Sequence, residues 1–170
     1  KAVVTDNVGN IYVTGEIGGG GGFTSDFGTI KYNPNGDEQW VRTLKPTLPP
    51  GAYVANDIAL DNSANVYVTG YSLVINQPTA QDIVTAKYNS AGSLQWVKSY
   101  SGTPAVVSSD FGVAVGVDAN GNTYVTGNSN ITGFATGNDI VIIKYAPVSS
   151  FVSDFKKNIA KAILDNQAVL

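Results

Sequence analysis

One short stretch of this sequence occurs three times at a nearly constant distance. The tetrapeptide Tyr-Val-Thr-Gly begins at Tyr12, Tyr67 and Tyr124, so its copies are 55 and 57 residues apart. A Lys-Tyr pair follows each copy with spacings of 56 and 57 residues, and Trp40 and Trp96 are 56 residues apart. Self-similarity at one long period is the signature of a repeat architecture.

Each repeat contains short strand-forming segments that are separated by polar turns. We predict strands A to D at 57–60, 66–70, 82–88 and 94–100 in the second unit, and at 3–4, 10–15, 26–32 and 39–44 in the first. The third unit has strands at 113–117, 122–127 and 139–145, but its fourth strand is missing. Four short strands per repeat are typical of a β-propeller blade. We therefore predict an all-β fold of three blades, the third incomplete. A β-sandwich is the main alternative, although it would not require one strand to return at a fixed period.

Two segments carry a pattern that resembles the SBBP-type β-propeller repeat of bacteria and archaea. Residues 118–127 read Asp-Ala-Asn-Gly-Asn-Thr-Tyr-Val-Thr-Gly, and residues 82–89 read Asp-Ile-Val-Thr-Ala-Lys-Tyr-Asn. The resemblance covers about residues 1–146, and it implies a blade of a seven-bladed propeller in an extracellular or cell-envelope protein. It implies no uniform activity, because a fold does not fix a function. We accordingly expect a secreted or cell-surface location.

The repeat divides the chain into blade 1 at 1–54, blade 2 at 55–110, blade 3 at 111–147 and a tail at 148–170. The tail has neither Gly nor Pro after residue 150. Its apolar residues recur every fourth position, which predicts a helix with one apolar face; they are Phe151, Phe155, Ile159 and Ile163. We expect this face to contact either the open edge of blade 3 or another subunit.

Composition argues against several functions. The chain has no His and no Cys, so it lacks the commonest general base and the imidazole and thiolate ligands of transition metals. Arg42 is the only arginine and the net charge is −3, which disfavours binding to nucleic acid. No apolar run is long enough to cross a membrane. We expect a protein that is not an enzyme and that uses no cofactor or metal.

The connections differ between units on one side of the repeat, and variable loops often carry function. In an antiparallel blade the B–C and D–A connections lie at the same edge, opposite the A–B and C–D turns. We therefore expect a partner, a protein or alternatively a glycan, to bind there. The residues predicted to contact it are Phe23, Tyr53, Tyr71, Asn76, Gln77 and Phe134. The alternative is that these segments are only loops that tolerate change.

Two further sites remain as alternatives. The Asp-x-x-x-Asn segments that begin at Asp6, Asp61 and Asp118 resemble the start of a calcium loop, but they are more simply A–B turns. Glu16, Asp57 and Asp110 are acids near the variable edge, and two of them across one cleft would indicate a carbohydrate-hydrolysing propeller.

The predicted strands number too few for a closed ring, because known propellers have four to eight blades. We therefore expect the chain to belong to a larger propeller, or to complete one by self-association. The function predicted from these observations is an extracellular scaffold or interaction module. A carbohydrate-binding propeller and a subunit of a surface filament or sheath are the alternatives.

Overall fold

The computed structural model describes residues 1–18, 25–45, 51–74, 81–102, 108–131 and 139–147. These residues form eleven β-strands and contain no helix, which confirms the prediction of an all-β fold. The predicted tail helix, with Phe151, Phe155, Ile159 and Ile163, lies outside the described residues. The described residues contain no helix with the length and hydrophobicity that a bilayer crossing requires.

The strands form three successive antiparallel meanders, here called units one, two and three. Unit one consists of β1 (Ala2–Thr5), β2 (Ile11–Ile17), β3 (Asp26–Tyr32) and β4 (Glu38–Leu44). Unit two consists of β5 (Gly51–Leu60), β6 (Val66–Val74), β7 (Gln81–Tyr88) and β8 (Leu94–Tyr100). Unit three consists of β9 (Ser108–Val117), β10 (Thr123–Ile131) and β11 (Asp139–Tyr145). Among the described residues the sheets do not close on themselves, and a single parallel pair, Gln81 with Ser109, joins β7 to β9.

The predicted strands are confirmed, but several extend further than predicted. Strand C coincides with the prediction in units one and three, and strand D coincides in unit two. Strands β5 and β9 instead begin at Gly51 and Ser108, ahead of the expected unit starts at 55 and 111. The sequence also predicts connecting loops at 16–25, 45–55, 71–81, 101–111 and 128–138. This prediction is wrong for 16–17, 51–55, 71–74, 81, 108–111 and 128–131, which lie in strands. A bulge between Ala55 and Asp57 lets β5 continue its pairing with β6 as far as Val74.

The strands of each unit have two faces of different composition. The face here called the tyrosine face carries Tyr12, Thr14, Phe27 and Thr29 in unit one, Tyr67, Thr69, Ile83 and Thr85 in unit two, and Tyr124, Thr126, Ile140 and Ile142 in unit three. The opposite face, the valine face, carries Val3, Val13 and Ile30, then Ile58, Val68 and Ala86, then Val115, Val125 and Ile143. Successive side chains along a strand point to opposite sides, so each strand contributes to both faces.

Packing joins the tyrosine face of one unit to the valine face of the next. One core combines Tyr12, Phe27 and Trp40 of unit one with valine-face residues of unit two such as Val68. The second core combines Tyr67 and Ile83 of unit two with Val115 and Val125 of unit three. Both interfaces therefore use the same two surfaces, as expected when one repeat stacks on its neighbour.

The two tryptophans, whose recurrence in the repeat indicates that they fill the gap between units, lie at these interfaces. Trp40 is buried, and its Nε1 donates a hydrogen bond to the Ser90 carbonyl of unit two at 3.4 Å. Trp96 packs in the second core, with its ring 5.7 Å from the ring of Tyr145. Each indole thus fills the space between two units and does not present a free platform for a sugar.

Candidate functional site

The edge at which the B–C and D–A connections emerge, here called the connection edge, contains two of the predicted contact residues. Tyr53 lies in β5 and Tyr71 in β6, and both are partly exposed. The prediction that both lie in connecting loops is wrong, because the pairing of β5 with β6 places them in regular strands. Phe23, Asn76, Gln77 and Phe134 lie outside the described residues.

Aromatic pairs connect neighbouring units at the connection edge. The rings of Phe27 in unit one and Tyr53 in unit two are 5.4 Å apart, and those of Tyr71 and Phe111 in units two and three are 4.9 Å apart. The Tyr53 amide also donates a hydrogen bond to the Ser25 carbonyl at 2.7 Å. Aromatic pairs at these separations stabilise each other beyond their buried area, so both tyrosines are held in place by the unit beside them.

Phe27 and Phe111 were missed as members of this edge. Phe27 lies within predicted strand C, where a sequence pattern indicates only core residues, and Phe111 lies at the end of the predicted connection between units two and three, whereas the structure places it in β9. The repeat itself offers a signal that could have found the arrangement. An aromatic residue near the connection edge of one unit, together with another near the same edge of the next unit, indicates a contact between the two units.

The Tyr71 hydroxyl is suited to hydrogen bonding at this edge. Burial, and secondarily the negative charge of Glu16, raises the pKa of Tyr71 above its usual value. The hydroxyl therefore keeps its proton throughout the physiological pH range and remains available as a donor. A partly exposed tyrosine with a fixed ring and a polar tip is typical of a residue that contacts a partner.

The three acids that could have indicated a hydrolase are occupied by other groups. Asp57 Oδ2 accepts a hydrogen bond from the Val115 amide at 2.8 Å, and Asp110 Oδ2 accepts one from the Gly102 amide at 2.8 Å. Glu16 Oε1 lies 3.9 Å from the Lys1 ammonium. The first two carboxylates thus brace the interface and the D–A connection between units two and three.

Asp82 is a partly buried carboxyl group at this edge, close to Asp110. Burial raises its pKa, a hydrogen bond with Ser101 lowers it, and the nearby charge of Asp110 raises it further, so that the net pKa is raised. A raised pKa next to a second acid can indicate a catalytic pair. Here the partners Ser101 and Gly102 belong to the D–A connection, and the two acids fix that connection to the strands.

At the opposite edge, each A–B turn is organised by one aspartate. In unit two, Asp61 Oδ1 accepts the amides of Ser63 and Asn65, and Asp61 Oδ2 accepts the Asn65 side-chain amide and the Tyr67 hydroxyl, at 2.8–3.0 Å. Asp6 and Asp118 make the same four bonds in their own units. The prediction that these segments are turns that bond their own backbone is confirmed.

The same network sets the acidity of the aspartates and tyrosines. Burial alone would raise the pKa of Asp61, but the bonds from Asn65, Tyr67 and Ser63 outweigh it and lower the pKa below its usual value. The same balance lowers the pKa of Asp6. Burial and the bond to Asp6 raise the pKa of Tyr12 to about 12. Because both carboxylate oxygens already accept bonds from the turn, these aspartates are poorly prepared to serve as calcium ligands.

A polar cleft of about 450 Å³ lies between the first two A–B turns. Its walls come from residues 4–8 of unit one and 60–64 of unit two. Asp6 and Asp61 both line the cleft, but their oxygens accept the bonds just described. The cleft therefore offers backbone groups and short polar side chains, and it lacks free carboxylates among its described residues.

Comparison with known proteins supports the repeat and gives no activity. The profile of the SBBP family, described as a beta-propeller repeat, matches residues 107–135, which contain β9, β10 and the turn between them. The predicted SBBP-type repeat is thereby confirmed for this segment. No curated protein matches the chain significantly.

Proposed function

We propose that this chain is a β-propeller interaction module that binds a protein partner at its connection edge. The observation that carries the proposal is the pair of aromatic contacts, Phe27 with Tyr53 and Tyr71 with Phe111, which bridge successive units there. The match to a beta-propeller repeat supports a propeller-type module. Propellers commonly provide scaffolds on which the connecting segments carry the specificity.

The two tyrosines at the connection edge are held in place before any partner binds. Tyr53 and Tyr71 lie in paired strands, and each ring packs on an aromatic residue of the next or preceding unit. Binding of a partner therefore costs little side-chain entropy at the two tyrosines, since their rings are already ordered. Tyrosines of this kind are enriched among the residues that dominate binding energy.

We propose further that the module acts without catalysis and at the outside of the cell. The first proposal is supported by Asp57 and Asp110, whose carboxylates bond to backbone amides, and by the absence of His and Cys from the chain. The second is supported by the location that the SBBP resemblance implies. Detection of the protein in the secreted or surface fraction of intact cells checks the second proposal, and confinement to the cytoplasm would contradict it.

The binding proposal is tested by capture from the secreted and surface proteins of the source organism. The immobilised chain is compared with a double variant, Tyr53→Ala with Tyr71→Ala, and with Tyr32→Ala, which removes a partly buried tyrosine at the opposite end of a strand. Thermal melts establish that all three are folded. We expect one defined protein to bind the parent chain and Tyr32→Ala, and to bind the double variant at least about tenfold more weakly.

The same variants separate the alternatives. Retention of a glycan on an array, lost in the double variant, would favour the carbohydrate-binding alternative, since partly exposed tyrosines also stack on sugars. Equal capture by the parent chain and the double variant would contradict the proposal, because binding would then not involve the connection edge.

A further inference from the structure

The tyrosine face of unit three differs sharply in exposure from the same face in the other units. Ile140 occupies the position of Phe27 and Ile83, which are 1% and 0% exposed, yet its side chain is 81% exposed. Ile142 occupies the position of Thr29 and Thr85, which are fully buried, yet it is 74% exposed. Two isoleucines that project into solvent from adjacent positions of one face form an apolar patch of the kind that marks an interaction surface.

The valine face of unit one is exposed in the same way. Val3 is 65% exposed, whereas Ile58 and Val115 at the same position of units two and three are nearly buried. A groove of about 300 Å³ lies on this face, and its lining includes Val13, Ile17 and Ile30. The unit therefore presents an apolar depression where the other two units receive a neighbour.

Faces equivalent to these two already pack on each other within the chain. The tyrosine face of unit one packs on the valine face of unit two, and the tyrosine face of unit two packs on the valine face of unit three. Among the described units, the two exposed surfaces are the members of these two sets that have no neighbour packed on them. They are therefore expected to fit each other by the packing that the two internal interfaces already use.

We propose that the exposed tyrosine face of unit three binds the exposed valine face of unit one in a second copy of this chain. The contact is head-to-tail, so each copy offers a different surface to its partner. The occupant is a second copy because each exposed face is the counterpart of a face that already packs on its complement at both interfaces between the described units. The inference does not rest on the proposed function, since it involves the faces of the units and not their connection edge.

The proposal predicts a distinctive pattern for two variants that each destroy one face. Ile142→Asp places a carboxylate on the tyrosine face of unit three, and Val3→Asp places one on the valine face of unit one. Each variant alone is expected to dissociate at least about a hundredfold more readily than the parent chain, because an unpaired carboxylate is costly to bury. An equimolar mixture of the two variants should recover a one-to-one complex, since the mixture retains one intact copy of each face.

Sedimentation velocity of the full chain over a wide concentration range measures this pattern. Val8→Asp is the matched control, because Val8 is an exposed apolar residue in the first A–B turn, outside both faces, and it should associate like the parent chain. Circular dichroism establishes that every variant is folded.

Two results would overturn the proposal. One is a parent chain that remains monomeric at the highest concentration. The other is association that survives in both single variants, or that the mixture fails to restore, since either would place the contact elsewhere on the molecule.

Discussion

At the residue scale, a single carboxylate organises each A–B turn, and one position in these turns is strained. Ala64 has a φ of +54°, whereas the first and third units have Gly9 and Gly121 there, with φ of +87° and +78°. A side chain in this left-handed region carries a steric cost that glycine avoids. Unit two therefore contains a small local destabilisation that its neighbours lack.

Ala64→Gly should stabilise the protein. Relief of the left-handed strain outweighs the greater freedom of glycine in the unfolded chain, so the free energy of unfolding should rise by about 0.5–1 kcal/mol. Urea denaturation at neutral pH measures the change. Ala91→Gly is the control, because Ala91 lies in the C–D turn of the same unit without a positive φ, and it should leave stability unchanged or lower it.

The aspartate network makes stability depend on pH in a direction that follows from the lowered pKa of Asp61. A carboxyl group whose pKa is lower in the folded state stabilises the fold above its unfolded pKa of about 3.9. That contribution is lost as the pH falls through the folded value. Asp61→Asn should therefore reduce the free energy of unfolding by on the order of 1 kcal/mol at pH 7.

The difference between Asp61→Asn and the parent chain should shrink as the pH falls below about 4, where the carboxyl of the unfolded chain becomes protonated, and it should vanish below the lowered pKa of the folded state. Glu38→Gln is the matched control, since it also removes one negative charge but from an exposed strand position. Guanidinium denaturation across the acidic range measures both. A constant difference between Asp61→Asn and the parent chain at every pH would contradict the assigned role of the carboxylate.

At the element scale, the outer strand of one unit holds a turn of the next. Arg42 in β4 donates from Nε to the Gly92 carbonyl at 2.6 Å, and from its terminal nitrogen to the Ala91 carbonyl at 3.4 Å. Both acceptors belong to the C–D turn that joins β7 to β8. The guanidinium also lies over the Trp40 ring, 5.6 Å from its centroid. Strand β4 thus fixes unit two through hydrogen bonds as well as apolar contact.

Arg42→Ala should weaken the junction between units one and two. Loss of bonds to two carbonyls is expected to lower the free energy of unfolding by about 1–2 kcal/mol, and Arg42→Lys should recover only part of it, because an ammonium cannot reproduce the planar donors. Denaturant titration measures stability, and hydrogen exchange at the Gly92 turn reports the junction. Gln39→Ala is the control, since Gln39 bonds only within its own unit, to the Asp37 carbonyl. Similar losses in Arg42→Ala and Gln39→Ala would show that the bonds to the turn are unimportant.

Strand positions were predictable where a segment's pairing partner lies close in the repeat. Strand C could be located because Asp26 to Tyr32 and its equivalents combine β-branched and aromatic residues between clear turn signals. The extension of β5 to Gly51 could not be predicted, because it depends on a bulge beside Asn56 and on pairing with residues that follow Gly70. A bulge adds one residue without a sequence signal, so Tyr53 and Tyr71 were expected in loops.

At the scale of the whole molecule, stability is distributed along a row of units. Each described unit packs on its immediate neighbour, and the two cores are separate clusters that share no residue. Such proteins gain stability from the units themselves and from each interface between them. The candidate site was predictable only as a general location, because the edge follows from strand order, whereas the ring contacts depend on how successive units are oriented.

The shared geometry of the two interfaces also has an evolutionary meaning. A gene segment that encodes one unit carries both a tyrosine face and a valine face, so an in-frame duplication produces a unit that already fits the neighbours on either side. The array can lengthen or shorten by recombination without the invention of a new interface. A substitution on one face has to be compensated only on the surface that packs against it. The connecting segments can therefore change in sequence independently of the faces.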